Sequence, residues 1–174
     1  MSTYKTPNES LVVQSNLVLP NDTNMLNDLM GGRLMYQMDI VAAISAQRHS
    51  ENTVVTASVD HVSFNHRISL GSIVTVRAWV TRAFNSSMEV KVEVLSENIP
   101  DSKKQFKSNE AYFTFVAVDK NLKPIETPSI KPITEEDKTL FDGALRRRQF
   151  RLLLAGKIKP NEAPELRSLL DLNN

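Results

Sequence analysis

A single carboxylate within a long apolar stretch is the first candidate for chemistry in this sequence. Between Arg33 and Arg48 the chain reads LMYQMDIVAAISAQ, and Asp39 is the only charged residue in it. Burial of an unpaired charge is costly, so an acid in such surroundings is often a functional group, here a general base or a nucleophile. The alternative is that Asp39 lies at the edge of the apolar face and reaches water or caps a neighbouring backbone group.

The segment that carries Asp39 is predicted to form a helix from Gly32 to about His49, because it is rich in leucine, methionine, alanine and glutamine. Ala42 and Ala46 share helical spacing with Asp39, which places the carboxylate on or beside the face that meets the core. The pair Gly31-Gly32 provides a flexible junction at the start of this helix.

The segment Pro20-Asn21-Asp22-Thr23-Asn24 precedes the helix and has the composition of a turn. Its last residue, Asn24, carries an amide that can orient a water molecule or a carbonyl group. An asparagine in such a turn commonly caps a backbone group or takes a left-handed conformation. By itself, Asn24 therefore does not indicate an enzyme.

The motifs of several other enzyme classes are missing from this chain. It contains no cysteine, which excludes disulfides, thiolate metal ligands and a cysteine nucleophile. His49, His61 and His66 have no metal-ligand spacing, and no GxSxG elbow, Walker loop or GxGxxG motif occurs. We therefore expect no metal site and no cofactor.

Size and charge limit the partners. The 174 residues suffice for one ordinary domain with an extra helix, and a net charge of +1 offers no strong field for nucleic acid or an anionic membrane. No apolar run approaches the length of a membrane helix. The polar start MSTYKTPNES lacks the features of a secretory signal, so we expect a soluble, cytoplasmic protein.

Strand patterns flank the helix. An edge strand is predicted before it and four strands after it, within Ser10–Pro20, Val54–Phe64, Ile73–Thr81, Met88–Val94 and Ala111–Val118. Short connections favour antiparallel pairing of strands that follow each other along the chain. Residues 96–109 are predicted to form a longer polar link.

The predicted strand Met88–Val94 shows the clearest alternation. Valines alternate there with Glu89, Lys91 and Glu93, which predicts one buried and one solvated face. The fold class is therefore α+β, with one long helix against the concave face of an antiparallel sheet.

The C-terminal part of the chain has a different composition. Residues 8–123 are expected to form the domain, and residues 124–174 a linker and helical extension, because proline and lysine dominate residues 120–132. Thr134 is the predicted N-cap of a helix that ends at Leu154. Arg146-Arg147-Arg148 lies in this helix, either as a solvated face or as a site that meets phosphates.

The order of these landmarks resembles that of a known family. Residues 20–24, Gly31-Gly32 and Met38-Asp39, followed by residues 59–64, Gly71 and residues 85–88, are similar to the signature of the acyl-CoA thioesterases of the hotdog superfamily, in the branch of cytosolic acyl-CoA hydrolases and bacterial short-chain thioesterases. The resemblance extends over about residues 10–119. It implies a hotdog fold, in which a curved antiparallel sheet wraps a long helix, and hydrolysis of acyl-CoA to free acid and CoA.

The resemblance also implies roles for individual residues. Asp39 matches the catalytic carboxylate, as base or nucleophile, and Asn24 matches an asparagine that comes from the opposite subunit of a dimer. This dimer would be the catalytic unit, built up into a hexamer. Backbone amides near Gly31 and Gly32 would supply donors for the oxyanion.

The implied CoA-binding segment is the turn at Ser86 and Ser87, where hydroxyls and backbone amides can meet phosphate oxygens. Arg67 or Arg147, the latter from a neighbouring chain, would add a basic side chain. Two positions depart from the family pattern. Asn27-Asp28 stand where relatives often carry a glycine, and Arg67 stands where a proline often follows the phenylalanine. Substrate preference is therefore more open than reaction type.

Two other functions are compatible with the same fold. A non-catalytic acyl-CoA-binding module would keep the fold without hydrolysis, although the presence of Asp39 counts against it. A hotdog dehydratase would need a histidine beside the start of the helix, and no histidine lies between Met1 and Arg48.

Overall fold

The computed structural model describes residues 4–64, 66–98 and 102–171. The chain divides into two units between Lys131 and Pro132. The first unit contains β1 (Tyr4–Lys5), β2 (Val12–Leu17), α1 (Gly31–Ser50), β3 (Thr53–Asp60), β4 (Ile73–Ala83), β5 (Ser87–Asn98), β6 (Ser102–Val118) and β7 (Ser129–Ile130). The second unit contains α2 (Glu135–Leu154) and α3 (Pro164–Asp171).

A five-stranded antiparallel sheet forms the first unit, in the order β2-β4-β5-β6-β3. In its centre, Val92 of β5 lies opposite Ala78 of β4 and Ala111 of β6. Helix α1 packs against all five strands. This arrangement confirms the predicted α+β layout, the long helix and the position of β2 at an edge.

The core lies between α1 and one face of the sheet. Small and β-branched side chains on alternate strand positions let the helix approach closely. Met38, Val41, Ala42 and Ala46 of α1 are completely buried, and so are Val76, Val80, Val90, Val92 and Phe113 of the sheet. Burial of each such valine contributes about 1.5–3 kcal/mol relative to exposure.

The prediction that the other face of β5 is solvated is wrong. Glu89 and Lys91 are only 3% and 6% exposed. Thr81 donates a hydrogen bond to the Glu89 carboxylate at 2.6 Å. The Lys91 ammonium lies 3.0 Å from the Glu93 carboxylate and 5.3 Å from the Trp79 ring centroid. These charges can be covered because neighbouring side chains on the same face pair with them.

The predicted antiparallel pairing of strands that follow each other is confirmed for β4 with β5 and for β5 with β6, but it is wrong for β3, and the predicted polar link is also wrong. β3 pairs with β6 and not with β4, so that Val55 lies opposite Val116. The connection of residues 61–72 instead passes the start of α1 before it enters β4. Residues 96–109 are not a link, because β5 and β6 continue into them and pair, with Leu95 opposite Lys107. Backbone hydrogen bonds sustain these strands where the side chains are polar.

A short parallel pairing of β1 and β7 completes the first unit, with Lys5 opposite Ile130. In the second unit, the Asp137 amide donates to the Thr134 hydroxyl at 3.0 Å, and the Thr134 amide donates to the Asp137 carboxylate at 2.9 Å. This capping box confirms the predicted start of α2, and its end at Leu154 is also confirmed. Within the part of the chain that the structure describes, no helix is long and apolar enough to cross a membrane.

Candidate active site

Two isolated antiparallel bridges shape the segment before α1 that carries Asn24. We call residues 22–30 the Asn24 loop. Thr23 pairs with Leu29 in this loop, and Asp28 pairs in turn with Ser69. The backbone amide of Asn24 donates to the backbone carbonyl of Asp28 at 2.8 Å, and the backbone amide of Met30 donates to the backbone carbonyl of Asp22 at 2.9 Å. These bridges and backbone hydrogen bonds fix the course of the loop that carries Asn24.

The side-chain amide of Asn24 has a fixed orientation. Its Oδ1 accepts hydrogen bonds from the backbone amides of Leu26 at 2.8 Å and Asp28 at 3.2 Å. The amide nitrogen cannot take this place, because it would meet two other donors. Among the described residues, Nδ2 has no acceptor, and Asn24 is exposed. Asn24 therefore caps its own loop and at the same time presents two N–H donors outward.

Two ion pairs flank Asn24 in the loop. Arg33 Nε and Nη2 donate to one oxygen of Asp22 at 2.9 and 2.6 Å, and Arg67 Nε donates to Asp28 at 2.7 Å. The aspartate side chains are 12% and 13% exposed, whereas those of Arg33 and Arg67 are 50% and 71% exposed. The Arg33 guanidinium holds the pKa of the Asp22 carboxyl below its ordinary value. The pairs join the loop to α1 and to residues 61–72.

The start of α1 leaves backbone donors uncovered. The amides of Arg33 and Leu34 donate to the Met30 carbonyl, both at 3.0 Å, and no side chain caps the helix. For the amides of Gly31 and Gly32, residues 4–64, 66–98 and 102–171 supply no acceptor. These groups lie at the positive end of the helix dipole, which favours an anion.

The two glycines differ in their surroundings. A Cβ atom at Gly31 would lie 3.3 Å from Cζ of the Phe64 ring, so the absence of a side chain lets this ring approach the helix start. A Cβ atom at Gly32 would meet nothing within 4 Å among the residues that the structure describes. The backbone at Gly32 is thus open to a ligand or to another chain.

Asp39 lies on the flank of α1, half-buried beside the fully buried Met38 and Ala42. The Thr56 hydroxyl on β3 donates to Asp39 Oδ1 at 3.0 Å. In the described part of the chain, Oδ2 has no hydrogen-bond partner. The β3–β6 register shifts directly after Thr56, at a bulge, and such irregularities commonly re-aim a side chain next to a site.

The structure brings together Asn24, Gly31, Gly32 and Arg67 at the start of α1, but not Asp39. Eight residues separate Gly31 from Asp39, a rise of about 12 Å along the helix axis. No contact between Asn24 and Asp39 is present among the described residues. Three residues were not predicted from the sequence to belong to the site: Asp22 and Asp28 near the start of α1, and Thr56 beside Asp39.

Ser86 and Ser87 lie towards the other end of α1. Asn85, in the same turn, accepts a hydrogen bond from Thr127 at 2.9 Å. Pro128, which follows Thr127, is hydrogen-bonded through its carbonyl oxygen to Nε2 of His49, in the last turn of the helix, at 2.7 Å. A 20-residue helix is about 30 Å long. The Ser86-Ser87 turn of one chain is therefore remote from the Asn24 loop of the same chain.

Arg147 belongs to the second unit. Its Nη2 donates to the Leu140 carbonyl at 3.1 Å, and its side chain lies against Gly143 of the same helix. As for metal ligands, the described residues contain no group of three or more His, Cys, Asp or Glu side chains that could hold an ion.

Comparison with known proteins gives consistent results. The family model of the thioesterase superfamily matches residues 26–102. Acyl-coenzyme A thioesterase 11 of Mus musculus is 44% identical over 90% of this chain, which spans only 26% of that protein. An uncharacterised acyl-CoA thioester hydrolase of Bacillus subtilis is 41% identical over 80% of each chain.

Solved structures show the same fold. A hexameric acyl-CoA thioesterase has a TM-score of 0.84 and 36% identity, over 87% of this chain and 97% of that one. The acyl-CoA hydrolase of Staphylococcus aureus, in complex with butyryl coenzyme A, coenzyme A and coenzyme A disulfide, has a TM-score of 0.81 and 35% identity, over 88% and 95%. Further structures of that hydrolase carry an aspartate, an asparagine or a threonine replaced by alanine. The chain described here belongs to the thioesterase superfamily, among the hotdog-fold acyl-CoA thioesterases.

Proposed function

We propose that this protein hydrolyses acyl-CoA to a free acid and CoA, in a homo-oligomer whose active sites each combine Asp39 of one chain with Asn24 of another. The observation that carries the proposal is the arrangement at Asp39, a half-buried carboxylate with one oxygen held by Thr56 at 3.0 Å. Asn24, Asp39 and Thr56 also have the same spacing along the chain as the three residues replaced by alanine in the Staphylococcus aureus hydrolase.

Asp39 would act through its second oxygen. With Oδ1 engaged by Thr56, Oδ2 takes a proton from water or attacks the thioester carbonyl itself. With Asp39 as base, the hydroxide formed from water adds to the carbonyl carbon, and the carbon–sulfur bond then breaks to release the CoA thiolate. With Asp39 as nucleophile, the carbon–sulfur bond breaks as the mixed anhydride forms, and water then hydrolyses the anhydride to the free acid and the Asp39 carboxylate. On both routes the CoA thiolate receives a proton.

Asn24 would act as a donor. Its Oδ1 is occupied by the amides of Leu26 and Asp28, so only the Nδ2 hydrogens are available to the substrate. Together with the amides of Gly31 and Gly32, they can stabilise the negative charge that develops on the carbonyl oxygen. Such preorganised donors contribute most when the charge forms.

The separation within one chain favours a shared site. A hydrogen bond spans about 3 Å, whereas Asp39 lies about 12 Å along the helix axis from Gly31. The Asn24 loop is anchored beyond the helix start by the Met30–Asp22 hydrogen bond. A second chain is therefore needed to bring the side-chain amide of an Asn24 residue to Asp39.

Exposed apolar side chains support self-association. Tyr36, Ile40 and Ile44 lie at intervals of four residues on α1 and are 60%, 37% and 37% exposed. In the Asn24 loop, Met25 is 99% exposed, and β3 is an edge strand with one unpaired side. Apolar patches and free edges of this kind are commonly covered by another chain. We propose a dimer built up into a hexamer.

The CoA phosphates would lie near Ser86 and Ser87. An antiparallel arrangement of two α1 helices would bring this turn of one chain towards the Asn24 loop of the other. Arg147 of a neighbouring chain would supply the positive charge, whereas the Arg67 guanidinium is engaged by the Asp28 carboxylate of its own chain. The apparent Michaelis constant should then rise with salt, because exposed charge pairs are screened. A constant insensitive to salt and to Arg147→Ala would remove Arg147 from this role.

The test of the proposed function is thiol release from a panel of CoA esters, from acetyl to palmitoyl. Asp39→Asn should keep the fold and reduce kcat at least about 100-fold, because the change removes only charge and basicity. Asp142→Asn is a matched control on an exposed position of α2. Binding of esters without thiol release by the wild-type protein would instead identify a non-catalytic acyl-CoA module.

A further inference from the structure

We propose that Asp28 and Arg67 form a positioning pair that sets the orientation of the side-chain amide of Asn24. This inference rests on the proposed function, in which Asn24 is a donor to the substrate. Neither residue of the pair would touch the reacting atoms in this role. Both would act through the Asn24 loop.

Asp28 is the residue through which Asn24 is held. The backbone amide of Asp28 donates to Asn24 Oδ1 at 3.2 Å, and the backbone carbonyl of Asp28 accepts from the backbone amide of Asn24 at 2.8 Å. The Asp28 carboxylate in turn accepts from Arg67 Nε at 2.7 Å. The Ser69 hydroxyl lies 3.4 Å from its other oxygen. A displacement of Asp28 therefore changes one of the two hydrogen bonds that fix the Asn24 side chain, and also the backbone hydrogen bond that closes the loop at Asn24.

Burial makes Asp28 dependent on its partner. Its side chain is 13% exposed, and Arg67 is the only cation paired with it within the described residues. A nearly buried carboxylate without its partner is strongly unfavourable, so the loop should rearrange to hydrate it when Arg67 is removed. The Arg67 side chain is 71% exposed, and such a pair adds little to global stability. The consequence of breaking the pair should be local.

The residue before Asp28 has an unusual backbone conformation. Asn27 has a φ of 57°, the left-handed conformation that glycine favours and that asparagine tolerates. The Asn24 loop thus has the backbone conformation of a turn that contains glycine, and its Asp28 carboxylate contacts Arg67 in residues 61–72.

The experiment compares Asp28→Asn, Arg67→Gln and the double variant in the full-length protein. With the CoA ester that the wild type hydrolyses fastest, each single change should lower kcat about tenfold or more, because small displacements of a catalytic donor have large effects. The Michaelis constant and the unfolding temperature should stay unchanged. The double variant should lose no more than the worse single variant, since no unpaired buried charge remains.

The same changes in an Asn24→Ala background separate positioning from a general structural role. There they should have no further effect on kcat, because the pair acts only through Asn24. Glu135→Gln, which breaks the exposed Glu135–Lys138 pair at 2.6 Å, is the control and should leave all values unchanged. Equal losses with and without Asn24 would overturn the proposal. So would a higher Michaelis constant at unchanged kcat, which would make Arg67 a substrate-binding residue.

A second measurement does not depend on turnover. Amide hydrogen exchange of residues 22–30 should be faster in Arg67→Gln than in the wild type or in Glu135→Gln. Unchanged exchange would overturn the proposal even if no CoA ester is hydrolysed. Failure of the proposed function, by contrast, would appear as an inactive wild-type protein with the expected difference in exchange.

Discussion

At the scale of single residues, Asn24 combines two roles that the sequence presents as alternatives. Its oxygen caps the loop, and its nitrogen faces outward. A cap can be predicted from an asparagine in a turn. The free donors follow only from the positions of the Leu26 and Asp28 amides, which depend on the pairing of Thr23 with Leu29.

Asn24→Asp separates these two roles. An aspartate keeps an oxygen for both backbone amides but has no N–H, whereas Asn24→Ala loses the cap as well. We expect both variants to reduce kcat about 100-fold, the usual cost of one oxyanion donor, while only Asn24→Ala lowers the unfolding temperature. Steady-state kinetics and thermal unfolding provide the measurements. Near-normal turnover of Asn24→Asp would show that the residue is a cap and nothing more.

His49 links stability to pH. It is completely buried, Nε2 is bonded to the Pro128 carbonyl, and Nδ1 has no hydrogen-bond partner among the described residues. Burial lowers the pKa of His49, the bond to Pro128 raises it, Lys5 lowers it, and Glu9 and Glu51 raise it, with a net decrease. The folded protein therefore favours the neutral ring, while the unfolded chain binds a proton near the ordinary value of about 6.5.

The contribution of neutral His49 to the unfolding free energy should thus be fully present above about pH 6.5. It should decrease as the pH falls below this value, until the lowered pKa of the folded state is reached. His49→Gln cannot bind this proton and should show a weaker decrease. Denaturant unfolding between about pH 5 and 8, the range in which histidine titrates, compares the two proteins. Parallel curves would mean that His49 contributes nothing to acid sensitivity.

At the scale of elements, the start of α1 offers a pair of matched substitutions. Gly31→Ala would place a Cβ atom 3.3 Å from the Phe64 ring and should displace it, whereas Gly32→Ala meets open space. Alanine is also the better helix former, by about 1 kcal/mol. We therefore expect Gly32→Ala to unfold at the same or a higher temperature than the wild type, yet to lose activity, because the added methyl group occupies space used by a ligand or partner. Full activity of Gly32→Ala would show that this space is not used.

The elements could be predicted to different degrees. Helix α1 and the edge strand β2 follow from local patterns, because a long apolar period and a short apolar run with proline are local signals. The pairing of β3 with β6 could not be predicted, since alternation shows which face of a strand is buried but not which strand lies beside it. The contact of Thr56 with Asp39 depends on that pairing and on a bulge, and it was missed for this reason.

At the scale of the whole molecule, the central prediction concerns the division of the active site between chains. Asn24→Ala and Asp39→Ala should each be nearly inactive as homo-oligomers. When the two are unfolded together and refolded, hybrid dimers have one intact site and one site that lacks both residues. With random pairing, about half of the dimers are hybrids, so activity should return to about a quarter of the wild-type value.

Hybrid formation can be checked independently with a mass tag on one variant. Absence of activity in confirmed hybrids would place Asn24 and Asp39 in the same chain, or remove one of them from catalysis. The exposed Tyr36, Ile40 and Ile44 of α1 offer a further check, because the proposed oligomer should shield them.

The parallel pairing of β1 with β7 has a consequence for how the first unit tolerates rearrangement. Tyr4 lies opposite Ser129 and Lys5 opposite Ile130, so the first and last strands of this unit are neighbours. Strands in a sheet are about 5 Å apart, and two residues add about 7 Å along the strand, a gap that a linker of a few residues can close. The turn at residues 119–123, where Leu122 is 74% exposed, offers a place to open the chain. A circularly permuted first unit, joined at its old ends and opened at this turn, should therefore form the same sheet around α1.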